Sequence, residues 1–268
     1  MVGRVVVRIV DRIVDFIQPF VPRFVPPYVP QFDTMHKPTL YLIPTTLGDS
    51  PLKSVLPDGV IHIIHSLDEF IVEDVRTARR FLAFIKHPRP IVELKFSVLS
   101  EHTLKSQVPS FLNSIMQGKS IGLLSEAGCP CIADPGSVVV ELAHRRGIEV
   151  VPLVGPSSIL LALMASGLNG QNFAFVGYLP KERSPRIRAI HELEHLVRTK
   201  HQTQLFIETP YRNNHMVEDL LAQCQPETRL CIAADLTLPT QFIQTKTIAE
   251  WKGKVPDLGR RPVVFLIG

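Results

Sequence analysis

The chain has 268 residues, of which 45% are hydrophobic and 20% charged. That balance excludes a wholly disordered chain and leaves room for one large or two modest domains. Lys and Arg total 29 against 25 Asp and Glu, an excess that permits an acidic partner such as RNA without requiring one. Four cysteines without a C-x-x-C pair do not make a disulfide scaffold and fit a reducing cytoplasm, where the chain is expected to reside. A run of 18 or more uncharged apolar residues is absent, so no spanning helix is expected.

The first 36 residues differ from the rest. Within residues 2–17, Arg4, Arg8, Asp11, Arg12 and Asp15 share one arc of a helical wheel, and Val5, Ile9, Ile13 and Ile17 lie on the remainder. This is an amphipathic helix pattern. Pro19, Pro22, Pro26, Pro27 and Pro30 follow and favour an extended segment. The region reads as a membrane-surface or partner-docking helix, or as a tail outside the fold with Met35 as the true start.

From residue 38 onward strands and helices alternate. The apolar runs 39–43 and 60–65 predict buried strands, and a helix is expected over 68–86. A further strand is expected at 91–96, a helix at 105–117 ending on Gly118, and a strand at 120–126. Next come a helix at 136–146, a strand at 148–153 and a small-residue helix at 157–166. Later strands are expected at 173–180, 203–210, 229–236 and 262–268, with helices at 185–199 and 211–223. This order predicts α/β layers, mostly parallel in the first half and mixed in the second. Three segments are expected: an extension at 1–36, a first α/β domain at 37–155 and a second at 156–268.

The loops at strand ends carry the chemistry, because open α/β sheets bind ligands there. Four are rich in Gly, Pro and hydroxyl residues: 43–49, 125–136, 154–158 and 207–212. Such residues set tight turns and let a ligand approach main-chain groups. The residues alone define a small-molecule site of an α/β enzyme.

The motifs are Pro44-Thr45-Thr46-Leu47-Gly48-Asp49, Glu73-Asp74-Val75-Arg76, Ser125 to Gly136, Gly155-Pro156-Ser157, Gly177-Tyr178-Leu179-Pro180 and Glu208-Thr209-Pro210-Tyr211-Arg212. In this order the chain resembles the tetrapyrrole methylase superfamily over about residues 38–268. Within it, the chain is similar to the branch of bacterial small-subunit ribosomal RNA cytidine 2′-O-methyltransferases. The resemblance implies a two-domain α/β fold with S-adenosylmethionine (SAM) in a cleft between the domains, and a homodimer. It implies a SAM site of Leu47, Ser125, Glu126, Gly128, Ser157, Ser158, Leu179, Glu208 and Ala234. Asp74, Arg76 and Arg212 are candidate catalytic groups, and His102 is a further candidate base. The branch usually has Asp where this chain has Glu126, and an Arg and a Lys that are absent from residues 234–239. The function expected is methyl transfer to a ribosomal RNA ribose hydroxyl. The alternatives are methylation of a tetrapyrrole ring, or a SAM- or RNA-binding protein without catalysis.

Other features have competing readings. His191-Glu192-Leu193-Glu194-His195 spells a zinc-protease pattern, but both histidines fall off the apolar arc, which fits a solvated helix face; no metal is expected. Cys129-Pro130-Cys131 lacks the further ligands a metal needs. Two basic clusters, Arg76/Arg79/Arg80 and Lys181/Arg183/Arg186/Arg188, read either as phosphate contacts or as ordinary helix charge.

Overall fold

The computed structural model describes residues 37–100 and 102–268. The expected N-terminal helix and proline segment lie outside the described residues.

The first half contains β1 (Thr39–Ile43), α1 (Leu52–Val55), α2 (Asp58–His65), β2 (Glu69–Val72), α3 (Val75–Phe84), β3 (Lys95–Val98), α4 (Asn113–Met116), β4 (Ile121–Leu124), α5 (Ser137–Arg145) and β5 (Glu149–Pro152). Its five strands form a sheet in the order β3-β2-β4-β1-β5, parallel throughout. Crossovers place apolar residues on both faces of the central strands. Leu40 and Leu123 pack with Val139 and Ala143 of α5 on one side, and Ile43 and Leu124 pack with Ile64 and Leu82 on the other. Gly122 sits at this centre, where a Cβ would lie 2.5 Å from Ile43 Cδ1 and 2.9 Å from Phe70 Cδ1.

The second half contains α6 (Ser158–Ser166), β6 (Phe173–Tyr178), α7 (Arg183–Lys200), β7 (Thr203–Ile207), α8 (Asn213–Gln223), β8 (Arg229–Ala234), β9 (Phe242–Thr247), α9 (Ile248–Trp251) and β10 (Val263–Ile267). The strand order is β6-β7-β10-β8-β9. Only the β6–β7 pair is parallel; the other three are antiparallel. Alternation along the strands splits the burial between two layers. Phe206, Ile232, Ala234 and Phe265 pack with Ile190, Leu220 and Trp251. Leu205, Cys231, Ala233 and Val264 pack with Ile159 and Leu163 of α6. The expected division at 155/156 falls in the loop between β5 and α6.

Four expectations are corrected. The strand expected at 91–96 is a 3₁₀ turn at Ile91–Glu93 followed by β3 at Lys95–Val98. Residues 60–65 are helical, in α2, because Pro57 occupies the N-cap and Val60 and Ile64, four apart, are the buried pair; a short apolar run does not distinguish helix from buried strand. The helix expected over 68–86 is instead β2 followed by α3. Asp74 makes the break, capping α3 by accepting from Thr77 N at 2.7 Å. The helix expected at 105–117 is a 3₁₀ turn at Val108–Leu112 followed by the single turn of α4, with Pro109 at its start. The strand β9 was not expected.

The basic cluster before and within α7 turns partly inward. Arg186 is buried and donates to Asp219 Oδ2 from Nε at 2.8 Å and from Nη2 at 2.6 Å. Arg183 Nε donates to Asp219 Oδ1 at 3.0 Å. These guanidinium groups clasp α7 to α8.

Candidate active site

A cavity of about 390 Å³ lies where strand ends from both sheets meet, within the usual size for a small-molecule site. Its floor is the loop after β4. Ser125 Oγ donates to Gly128 O at 2.9 Å. Thr45 N, from the loop after β1, donates to the same oxygen at 3.0 Å. Gly128 has φ +78°, and a Cβ there would lie 3.1 Å from Leu47 Cδ2 and 3.3 Å from Pro156 O. Glycine therefore lets three loops close on one another. Further along, Cys131 and Ala133 adopt positive φ around Asp134, which accepts from Cys131 N at 2.9 Å and Gly136 N at 2.8 Å. Burial pushes the Asp134 carboxyl above the usual range, partly offset by those donors.

The second sheet supplies the opposite wall. Ile207 and Glu208 come from the end of β7, Ala233 and Leu236 from the end of β8, and Pro262 to Val264 from β10. Glu208, with its side chain 1% exposed, accepts from Thr209 N at 2.6 Å and Thr209 Oγ1 at 3.2 Å. Its Oε1 also pairs with Arg212 Nη2. Its Oε2 is buried with no hydrogen-bond partner.

Of the residues singled out from the sequence, Leu47, Ser125, Glu126, Ser158 and Glu208 line this cavity together. Gly128 closes its floor. Ser157 caps α6, accepting from Leu160 N at 3.4 Å, and so sets the start of the helix that presents Ser158. Leu179 and Ala234 are buried in the α7–α8 layer, while their neighbours Tyr178 and Ala233 line the cavity. Asp74 and Arg76 are exposed and lie off the cavity, whereas Glu73 lines it. Donation from Thr77 holds the Asp74 carboxyl below the usual range. Arg212 is committed to Glu208 and stacks 5.4 Å from the Tyr211 ring centroid. His102 is exposed in a turn. The lining residues missed by sequence reasoning, Pro262 to Val264 above all, follow no motif; β10 reaches the site only because it pairs between β7 and β8.

The lining is acidic. Glu73, Glu126, Asp134 and Glu208 contribute four carboxyl groups, of which Glu208 is paired with Arg212 and Asp134 is shifted up by burial, and no Lys, Arg or His lines the cavity among the described residues. Such a pocket favours a ligand carrying positive charge.

Other candidate chemistry resolves structurally. Glu194 is buried and accepts from Gln225 N at 2.7 Å and from Thr228 Oγ1 at 2.5 Å, while His191 and His195 are exposed. No metal-holding cluster occurs among the described residues. Burial and Asp134 push the Cys131 thiol up to about 11, and burial with Glu194 pushes Cys224 up to about 12. At pH 8 Cys131 is therefore expected to alkylate with iodoacetamide about a hundredfold, and Cys224 about a thousandfold, more slowly than in the unfolded chain. Mass-spectrometric time courses with and without denaturant check this; equal rates would contradict it.

Fold and cavity thus define the class: a two-sheet α/β enzyme with an acidic small-molecule pocket at its strand ends. The family described as Tetrapyrrole (Corrin/Porphyrin) Methylases matches residues 39–252, and the chain belongs to it and is a methyltransferase. It is 31% identical over 233 residues to "Ribosomal RNA small subunit methyltransferase I" of Vibrio cholerae, covering 86% of this chain and 77% of that one. A protein of the same name from Xylella fastidiosa is 30% identical over 230 residues, covering 85% and 80%. Among solved structures, the methyltransferase CobJ superposes with a TM-score of 0.59 at 17% identity, covering 86% of this chain and 94% of that one. Diphthine synthase gives 0.58 at 17% identity, with 85% and 88% covered. These two share the fold. Among the described residues no helix is long and apolar enough to cross a membrane.

Proposed function

We propose that the chain transfers a methyl group from SAM to a ribose hydroxyl of small-subunit ribosomal RNA. The observation that carries the cofactor is the acidic cavity. SAM bears a sulfonium and an ammonium, and four carboxyl groups around an apolar wall of Leu47, Ile207, Ala233 and Val264 suit both its charge and its adenosine. Glu208, on the cavity wall, would face the adenosine. The start of α6 at Ser158 would receive the carboxylate. When bound, SAM supplies an electrophilic methyl. The protein's contribution is to align the acceptor and exclude water, the source of most of the rate in such transfers.

The RNA acceptor is supported by the names of the two relatives at about 30% identity, and a ribosomal acceptor fits the expected cytoplasmic location. The test is tritiated SAM with small ribosomal subunits from a strain lacking the gene, alongside uroporphyrinogen. Labelling of the subunit, together with micromolar SAM binding that weakens at least tenfold in Glu126→Ala, is expected; tenfold corresponds to about 1.4 kcal/mol. Labelling of the tetrapyrrole alone would overturn the RNA assignment. Labelling of neither, with SAM still bound, would favour a non-catalytic binding protein.

A homodimer is part of this reading. Leu160 (52% exposed) and Met164 (79% exposed) stand one turn apart on α6 with Val154 also exposed, apolar surface suited to a second copy. Sedimentation is expected to show a dimer that Met164→Glu shifts toward monomer. A wild-type monomer at micromolar concentration would remove the dimer from the proposal.

A further inference from the structure

A second cavity, of about 310 Å³, lies beside the first, between the loop after β1 and helix α3. Thr77, Arg80, Phe81 and Phe84 face it from α3, at the i, i+3, i+4 and i+7 spacing that makes one helical stripe. Asp49 faces it from the β1 loop, and Glu126 lines both cavities. Both pockets therefore meet at the Glu126 carboxylate.

The stripe has features that packing does not use. Phe84 is 51% exposed, whereas Phe81 behind it is buried in the core. Arg80 is exposed and forms no ion pair among the described residues. Its neighbour Arg79 instead lies 5.5 Å over the Phe96 ring. The acidic cavity would repel a phosphate, but here a free guanidinium stands one turn from an open aromatic face. That pairing is how proteins hold single-stranded nucleic acid: bases stack on rings while arginine takes the phosphate.

We propose that this second cavity seats the acceptor nucleotide, with its base against Phe84, its phosphate on Arg80 and its ribose toward Glu126 at the boundary with the first cavity. The inference rests on the reading that the substrate is RNA. It assigns recognition to α3 and leaves the acidic cavity to the cationic cofactor, so one charge pattern separates the two ligands. Asp49, on the opposite wall, is placed to accept from base or sugar donors.

The test uses the full chain and a fluorescein-labelled single-stranded RNA hexamer, read by anisotropy, with SAM affinity measured in parallel by calorimetry. Phe84→Ala is expected to weaken hexamer binding on the order of tenfold, and Phe84→Trp to retain it. Arg80→Ala is expected to weaken binding and to lower the slope of log affinity against log salt by about 0.7. Both variants should bind SAM like the wild type, which separates a local role from misfolding. Unchanged hexamer binding in both alanine variants, or no hexamer binding by a wild type that still labels ribosomal subunits, would overturn the pocket and leave the RNA reading standing. A wild type that labels no subunit would overturn the RNA reading, and this assignment with it.

Discussion

Arg212→Ala is expected to destabilise the protein by about 3–5 kcal/mol, more than Glu208→Ala. The asymmetry follows from burial. The Glu208 side chain is 1% exposed and that of Arg212 is 17% exposed. Removing the arginine leaves a carboxylate sealed in the wall with only Thr209 as donor. Removing the glutamate leaves a guanidinium that can reach water past Tyr211. Arg212→Met combined with Glu208→Gln is expected to recover much of the loss, because neither charge is then stranded. SAM affinity is expected to fall in Glu208→Ala, which removes a carboxylate from the cavity wall. Urea unfolding and calorimetry on the four proteins measure both effects. Equal costs for the two alanine variants would show that burial is not what sets the penalty. By contrast Arg76, exposed on α3, is expected to change stability by less than about 0.5 kcal/mol when replaced by alanine.

Gly155→Ala is expected to cost about 1–3 kcal/mol and to weaken SAM binding. A Cβ at this position would lie 2.3 Å from Pro44 Cγ and 2.5 Å from Pro44 Cβ, with Leu56 Cδ2 at 3.1 Å beyond. A proline ring cannot rotate away, so one of two loops must move. One carries Thr45 and Leu47 into the first cavity's floor and wall; the other carries Pro156 and the Ser157 cap of α6. Separating them opens the contact at Gly128 that holds the floor together. Gly170→Ala is the control, since a Cβ there meets nothing within 4 Å, and it is expected to be near neutral. Thermal unfolding of both variants decides the matter; a neutral Gly155→Ala would show that the loops give way freely.

Much of the site was legible because its chemistry sits in loops with a forced residue choice. The glycines at 128 and 155 and the hydroxyls at 125 and 157 are there for backbone reasons that short-range pattern exposes. Leu47, Ser125, Glu126, Ser158 and Glu208 were singled out only through the family resemblance that those motifs carry. Strand alternation was harder to place: Ala233 and Ala234 are chemically identical, and only the sheet's packing decides which one meets the cavity. Likewise the run at 60–65 has no period long enough to separate strand from helix, and Pro57 with the Val60/Ile64 pair makes it helical.

By itself the sequence determined an α/β chain with a parallel first half, because its apolar runs alternate with amphipathic helices, and it picked out the loops at the strand ends, because Gly, Pro and Ser there are backbone requirements. Only the tertiary structure decided the charge of the site. Glu73, the Glu126/Asp134 loop and Glu208 come from three separate segments, and nothing local in the chain says that they converge. It also decided the fate of the arginines, turning Arg186 inward to Asp219, committing Arg212 to Glu208 and leaving Arg80 open beside Phe84. Charge placement depends on which elements pack together, and that is set by long-range burial rather than by any local pattern.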